Sequence, residues 1–483
     1  MSNSYDALFY GGEWNSPAAG AGVIEVISPN TEELIGTVPD PLTADVDAAT
    51  EAARRAFDSP HGWAHWPVDR RADAMERLAD ILETHHEEFG QLVSAQNGMP
   101  IKQSAAGEAW SGPYMLRYYA SLIRDRGIEE ERKLNGRTIL VLSEPAGVVA
   151  AIVPWNFPIA IAFMKLAPAL AAGCTVVLKP APGTVLDSYL LAKCIIEAGL
   201  PPGVINIVPG GREIGAYLVG HPNVDLVTFT GSTIGGRSVA RTCAELLRPV
   251  SLELGGKSAA VVLDDADLTA LSDQFLYATM NNNGQTCWLS TRILVPKQRF
   301  AAFTDTIADI VLTQTVGDAL DEKTDIGPMS SSAHRDRVEG YLNSALAGGA
   351  RATIGGGRPR GQDRGWFVEP TVLVDVDNSS AVAREEIFGP VLCVIPYDGI
   401  DDAVAQANDS NYGLGGTVWT ADEDHGVAIA RRIRTGTVGI NGYQGDLGAP
   451  FGGVKDSGIG RSLGPEGLQA YQVLKSVFPR PAG

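Results

Sequence analysis

Between Gly147 and Ser232 short runs that are apolar throughout alternate with stretches of helical periodicity, and few architectures accommodate that pattern. Val148 to Val153, Thr175 to Leu178, Val204 to Val208 and Leu226 to Phe229 read as strands. Helices are predicted over 158–172 and 184–198 and again before Leu226, and another starts near Ser232. A strand without a polar face must be covered on both sides, and helical crossovers run successive strands parallel. The expectation is a doubly covered parallel sheet of the nucleotide-binding type.

The alternation restarts after Leu254. Ala259 to Leu263 and Arg292 to Val295 read as strands, with helices from Leu268 to Met280 and from Arg299 to Leu312. Further strands are expected at 391–395, 415–419 and 437–440, separated by helices at 400–408 and 423–434. Before the first unit, residues 1–42 read as short strands and turns, and helices are expected from Thr43 to near Pro60, over 67–94 and over 103–122. Residues 126–143 carry a charged run, Asn135-Gly136 and an apolar run, the signature of a hairpin that is either an oligomerisation arm or a simple surface feature.

A chain of 483 residues is too long for one core and should divide into two or three domains. A net charge of −19 argues against nucleic acid or an anionic membrane surface as partner. No apolar run reaches the ~18 residues of a membrane span, and the amino terminus lacks a signal-peptide pattern. Five cysteines without paired spacing fit a reducing, cytoplasmic compartment. The seven histidines form no metal-binding motif, so no metal is expected.

Within the second unit, Cys287 follows the polar, turn-forming run Asn281-Asn282-Asn283-Gly284, where a loop can present it to a ligand. Cys174, Cys194, Cys243 and Cys393 sit in or beside apolar runs and read as packing residues. A thiol needs a base to react near neutral pH, and Glu253, at the end of an apolar strand, can activate it or a water. The pair points to covalent chemistry on a carbonyl at the junction of the two units.

Other motifs surround that junction. Gly231 and Ser232 join a strand to a helix start where backbone N–H groups can meet a pyrophosphate, and Pro209 to Gly215 forms a second such turn, including Gly211. Lys179 ends its strand where it can reach a ribose hydroxyl. Asn156, between prolines and aromatics in Pro154-Trp155-Asn156-Phe157-Pro158, can aim its amide at a developing oxyanion. Gly460-Arg461-Ser462-Leu463-Gly464 imitates a hydrolase elbow, but no apolar strand precedes it and no histidine follows. Gly256-Lys257-Ser258 ends like a phosphate loop, yet Ser251 stands where its first glycine belongs.

Taken together, Pro-Trp-Asn-Phe-Pro (154–158), Lys179-Pro180, Phe-Thr-Gly-Ser-Thr (229–233), Leu-Glu-Leu-Gly-Gly-Lys (252–257), Gly-Gln-Thr-Cys (284–287), Glu-Glu-Ile-Phe-Gly-Pro-Val (385–391) and Pro-Phe-Gly-Gly-Val-Lys-x-Ser-Gly (450–458) resemble the NAD(P)-dependent aldehyde dehydrogenase superfamily over nearly the whole chain. The resemblance implies a Rossmann-like cofactor domain (1–125 and 144–254), a second α/β catalytic domain (255–448) and a small β oligomerisation arm with bridging segments (126–143 and 465–483). It implies oxidation of an aldehyde to its acid. Cys287 resembles the nucleophile, Asn156 and the Cys287 N–H the oxyanion hole, Glu253 the water-activating base and Lys165 a lysine assisting proton transfer.

By the same resemblance Ile152, Val153, Pro154, Trp155, Lys179, Gly211, Gly215, Phe229, Gly231, Ser232, Leu254, Gly255, Glu386 and Phe388 contact the cofactor. Phe157, Ile161, Met164, Trp288 and Phe451 fall where the family lines its aldehyde tunnel, which implies an apolar or aromatic substrate. Pro182 stands where NAD-preferring members often carry a glutamate, removing a repulsion against a 2′-phosphate; NAD is the expected cofactor, with NADP left open. A homodimer or homotetramer is expected. The competing functions are acyl transfer to coenzyme A, which a resident base at Glu253 opposes, a cofactor-independent cysteine hydrolase, and a noncatalytic structural protein.

Overall fold

A computed structural model describes residues 3–135 and 137–479. Gly136 of the expected hairpin turn, the first two residues and the last four of the bridging segment lie outside the described residues.

The strands Val148–Ile152, Thr175–Lys179, Ile205–Ile207, Leu226–Thr230 and Val250–Glu253 pair in parallel. Their side chains are buried on both faces for the first three, as their composition requires. The sheet has eight strands, because Leu8–Tyr10 and Gly458–Ile459 add antiparallel to its two sides and Glu13–Asn15 extends the first of these. Val148–Ile152 lies in the middle: the chain goes on to Thr175–Lys179 on one side and later to Leu226–Thr230 on the other. That reversal opens a crevice at the carboxyl ends of two neighbouring strands, where doubly wound sheets bind ligands. Pro154 and Gly231 stand there.

A second sheet, of seven strands, runs Arg351–Ile354, Thr371–Val374, Val391–Tyr397, Arg292–Pro296, Ala259–Val262, Gly416–Trp419 and Gly439–Ile440. All neighbours are parallel except the edge strand Arg351–Ile354. The carboxyl end of Val250–Glu253 in the first sheet continues directly through Leu254 to Ser258 into Ala259–Val262 of the second. The segment therefore bridges the two sheets.

Several elements depart from the expectation. The helix expected over 67–94 is two, Val68–Thr84 and His86–Asn97, divided at His85, where neither Gly nor Pro marks the break. The helix expected from Leu268 begins at Ser272, and the one expected to residue 434 ends at Ala430. The helix expected over 103–122 runs from Ile101 to Arg126 and contains a π-helical turn at Ser104–Glu108. The helix Ser332–Ala347 and the strands Arg351–Ile354 and Thr371–Val374 were not anticipated. Only Val338 and Leu342 of that helix are buried, too few for an apolar stripe to show in its sequence.

Glu129–Leu134 and Arg137–Pro145 pair antiparallel, and Gln472–Val477 from the carboxyl end adds to the second strand as a third. Leu134 and Leu474 of this small sheet, and Phe478 just beyond it, are 66%, 69% and 75% exposed.

Candidate active site

Cys287 is half-buried, whereas the other four cysteines are buried. The run before it makes the difference: Asn282 (φ 51°), Asn283 (φ 59°) and Gly284 (φ 77°) all take left-handed backbone, which asparagine and glycine tolerate best. Side chains lock this turn. Asn283 Nδ2 donates to Gly98 O (2.8 Å) and Pro328 O (3.0 Å), while its Oδ1 accepts from Gly327 N (2.7 Å). A side chain at Gly284 would strike the backbone of Gly389, its Cβ falling 2.1 Å from that carbonyl oxygen. The asparagines thus aim the cysteine; the sequence showed them as a polar, turn-forming run but not the bonds that lock it.

The bridging segment covers the same place. A Cβ at Gly256 would come 2.3 Å from Cys287 O, so the segment leaving the Glu253 strand passes directly over the cysteine backbone. Burial, then Glu386 and Glu253, push the Cys287 thiol well above its ordinary range. Glu253 is buried; Oε1 accepts from Ser462 Oγ (3.3 Å), and Oε2 is buried without a hydrogen-bond partner. Burial raises its pKa well above the carboxylate range, opposed by the charge of Lys165. Lys165, buried and donating to Thr228 Oγ1 (3.0 Å), is lowered by burial and held up by Glu253. Each charge opposes the burial shift of the other, and a carboxyl raised in this way becomes a base usable near neutral pH.

Asn156 is buried on the opposite wall. Its Nδ2 donates to Gln285 O (2.9 Å), two residues before the thiol, leaving the second amide hydrogen for another acceptor. Its backbone carbonyl accepts from Asn97 Nδ2 (3.1 Å) and Asn282 Nδ2 (2.9 Å), so the loop is fastened to the cysteine turn. The helix Pro158–Ala172 that follows has no cap of its own; Glu108, from the π-helical turn, supplies one across space, with Oε2 accepting from Ile159 N (2.9 Å) and Oε1 from Ala160 N (3.2 Å). Burial pushes the Glu108 carboxyl up to about 8.

At the crevice of the first sheet, Lys179 is buried, not a solvated surface lysine. Its Nζ donates to Pro180 O (3.0 Å) and to Gly210 O, which leaves one of three hydrogens for a ligand hydroxyl. Gly211, before the helix Arg212–Gly220, faces open space, and that helix start has no side-chain cap. Ser232 caps the helix Thr233–Glu245 by accepting from Gly235 N (3.2 Å), so its hydroxyl proton is free to donate. Two helix amino termini beside a lysine donor fit a dinucleotide phosphate and ribose. Glu386 accepts from Gly256 N (3.0 Å) next to the cysteine, and a Cβ at Gly255 would lie 2.5 Å from Glu386 Oε2. Phe388 packs edge-on to Trp155 at 5.4 Å. Phe229 packs under Gly231, and Ile152, Val153 and Leu254 are buried at the same strand ends.

Phe157, Met164 and Phe451 are half-buried against the first core, Ile161 is buried, and Trp288 stacks on Tyr443 (4.2 Å, 6°). A cavity of about 640 Å³ opens beside Phe157 and Ala160, bounded also by Met99, Leu276, Tyr277 and Met280 and, at its polar side, by the Lys102–Asp325 ion pair. The described residues contain no cluster suited to a metal ion, and no helix among them is long and apolar enough to cross a membrane.

The model of the aldehyde dehydrogenase family matches residues 14–477. The chain is 55% identical over 479 residues to a geranial dehydrogenase of Castellaniella defragrans, covering 99% of each. It is similar to the crystal structure of a Mycobacterium tuberculosis aldehyde dehydrogenase complexed with NAD+, with a TM-score of 0.97, 45% identity and all of both chains covered. It is also similar to a mutant of aldehyde dehydrogenase C from Pseudomonas syringae in complex with NAD+ and octanal, with a TM-score of 0.94 and 38% identity over 98% of this chain and 96% of that one.

Proposed function

Because the chain belongs to the aldehyde dehydrogenase family, and so oxidises an aldehyde to its carboxylic acid with NAD, we propose that Cys287 is the nucleophile, Glu253 the base and Asn156 the oxyanion donor of that reaction. The observation that carries this reading is the position of Cys287: the one half-buried cysteine, under the Glu253 segment where the two sheets meet.

The chemistry follows from that arrangement. Glu253 takes the thiol proton, directly or through water, and the sulfur adds to the aldehyde carbonyl. The second hydrogen of Asn156 Nδ2 and the Cys287 N–H stabilise the oxyanion of the thiohemiacetal. NAD, when bound, supplies the hydride acceptor that leaves a thioester on the sulfur. Lys179, Gly211, Gly215, Gly231 and Ser232 would hold its adenosine and pyrophosphate end, and Trp155, Glu386 and Phe388 its nicotinamide end. Lys165 passes that first proton on, so Glu253 is ionised again and removes a proton from the water that releases the acid. A resident base competes with any thiol acceptor, so transfer to coenzyme A is disfavoured.

For the substrate we read an apolar aldehyde. Of the five residues expected along the tunnel Phe157 lines the cavity, where Met99, Ala160, Leu276, Tyr277 and Met280 supply the rest of an apolar wall, and the cavity has the volume of a small-molecule pocket. Geranial and octanal, named for two relatives, have this character. An NADH-production screen over short, long, aromatic and charged aldehydes is expected to give the highest kcat/KM for apolar aldehydes of about eight to ten carbons, at roughly 0.8 kcal/mol per buried CH₂. It is expected to favour NAD over NADP. Highest kcat/KM for a charged aldehyde would remove the apolar reading.

The exposed apolar residues of the small sheet support an oligomerisation arm, in a homodimer or homotetramer. Leu474→Asp combined with Phe478→Asp should lower the mass measured by light scattering; an unchanged mass would place the interface elsewhere. All five cysteines are free, which supports a reducing, cytoplasmic setting.

A further inference from the structure

The helix Ser332–Ala347 turns one face toward the segment from Glu385 to Phe388. His334, Arg337 and Tyr341 recur at spacings of three and four, so they share that face. Each places a donor on the segment. His334 Nε2 donates to Phe388 O (2.6 Å), Arg337 Nη2 to Glu386 O (2.6 Å) and Tyr341 OH to Glu385 Oε2 (2.6 Å). Between them Val338 is buried against Gly389, where an added Cβ would come 2.7 Å from its Cγ2. Ser331 fixes the start of the helix by accepting from His334 N (3.2 Å).

The segment needs such a hold. Phe388 has φ 66°, in the left-handed region, where a bulky aromatic residue stays only if its surroundings compel it. A carbonyl can only accept, so Nε2 of His334 carries the hydrogen, and burial keeps the imidazole neutral by lowering its pKa to about 4. The His334 ring also touches both aromatics of the crevice: Trp155 at 5.1 Å and 60°, Phe388 at 5.9 Å and 70°. It therefore fixes the Phe388 backbone and the angle between the two rings together.

We propose that the His334–Arg337–Tyr341 face is a clamp that positions the nicotinamide end of NAD, with His334 as its central positioning residue. The proposal rests on the reading that Glu386 and Phe388 border the nicotinamide. Released from the clamp, Phe388 relaxes out of its left-handed conformation and carries the Glu386 carboxylate with it. NAD then meets a site that must be ordered at the moment of binding, and affinity falls by that fraction.

The test compares full-length His334→Ala, His334→Gln and Phe388→Leu with wild type, measuring the Kd for NAD by titration calorimetry and KM for NAD and for aldehyde. His334→Ala is expected to raise the Kd and KM for NAD by about tenfold, the worth of one lost buried hydrogen bond, and to leave the aldehyde KM nearly unchanged. His334→Gln keeps an N–H donor on a side chain of similar reach and should recover most of the loss. If Phe388→Leu leaves NAD affinity unchanged, the reading beneath the proposal fails. If Phe388→Leu weakens NAD and His334→Ala does not, or if Gln is as damaging as Ala, the clamp is overturned while that reading stands. Should His334→Ala not fold, Arg337→Ala, at the most exposed of the three residues, gives the same NAD-selective loss or overturns the proposal.

Discussion

Replacing Cys287 with alanine is expected to lower NADH production by about 10,000-fold or more, while NAD binding stays close to that of the wild type. No neighbouring group can take over the attack. Cys174, Cys194, Cys243 and Cys393 are buried, and the charged groups whose fields reach the sulfur are the Glu386 and Glu253 carboxylates. The thiol itself is held protonated by burial and by the fields of Glu386 and Glu253. Removing it therefore deletes the covalent route and not merely a fast version of it. The cofactor contacts proposed for Lys179 and Ser232 lie on the first sheet and do not involve the sulfur, so equilibrium NAD titration should be nearly unaffected. Turnover within a few-fold of wild type would remove Cys287 as nucleophile.

Glu253→Gln has the next largest expected effect, a fall of roughly 100-fold to 10,000-fold in steady-state kcat, the range a positioned general base contributes. Glutamine keeps the shape and can still accept from Ser462, so loss of proton transfer is isolated from loss of packing. The same substitution should change the pH profile. Burial raises the Glu253 carboxyl above its usual range, so a growing fraction is ionised, and competent as a base, as pH is raised toward neutral and beyond. Wild-type kcat should climb with pH across that interval, and the glutamine variant should lose the climb in kcat. A mutant that keeps both its rate and its pH dependence would contradict the assignment.

The parallel sheets were legible because their strands are apolar on both faces, a pattern that only a doubly covered sheet explains. Pro158 at the first turn and Gly173 just past the end, in left-handed backbone, marked the helix beside Asn156 equally plainly. Antiparallel additions escaped notice. Gly458–Ile459 is two residues long and has no periodicity to show, yet it fastens the Glu253 strand. The site's residue types could be read from motifs, but not what holds them. Glu108 reaches the Pro158 helix from a π-helical turn, and Ser462, dismissed as a hydrolase elbow, proves to donate to Glu253. His334 lies on a helix whose polar face is its functional one, so an apolar-stripe criterion passed over it. A clue was present in Ser331, a cap residue directly before the helix.

In the proposed reaction substrate carbon becomes bonded to the sulfur of Cys287. Mixing the Glu253→Gln enzyme with NAD and octanal, quenching in acid after the first turnover and weighing its proteolytic peptides tests this most directly. About one NADH per subunit is expected, formed more slowly than in the wild type because the group that takes the thiol proton is gone, with an added octanoyl mass on the peptide bearing Cys287. NADH formed without any acylated peptide, or with the acyl group on another residue, would contradict it.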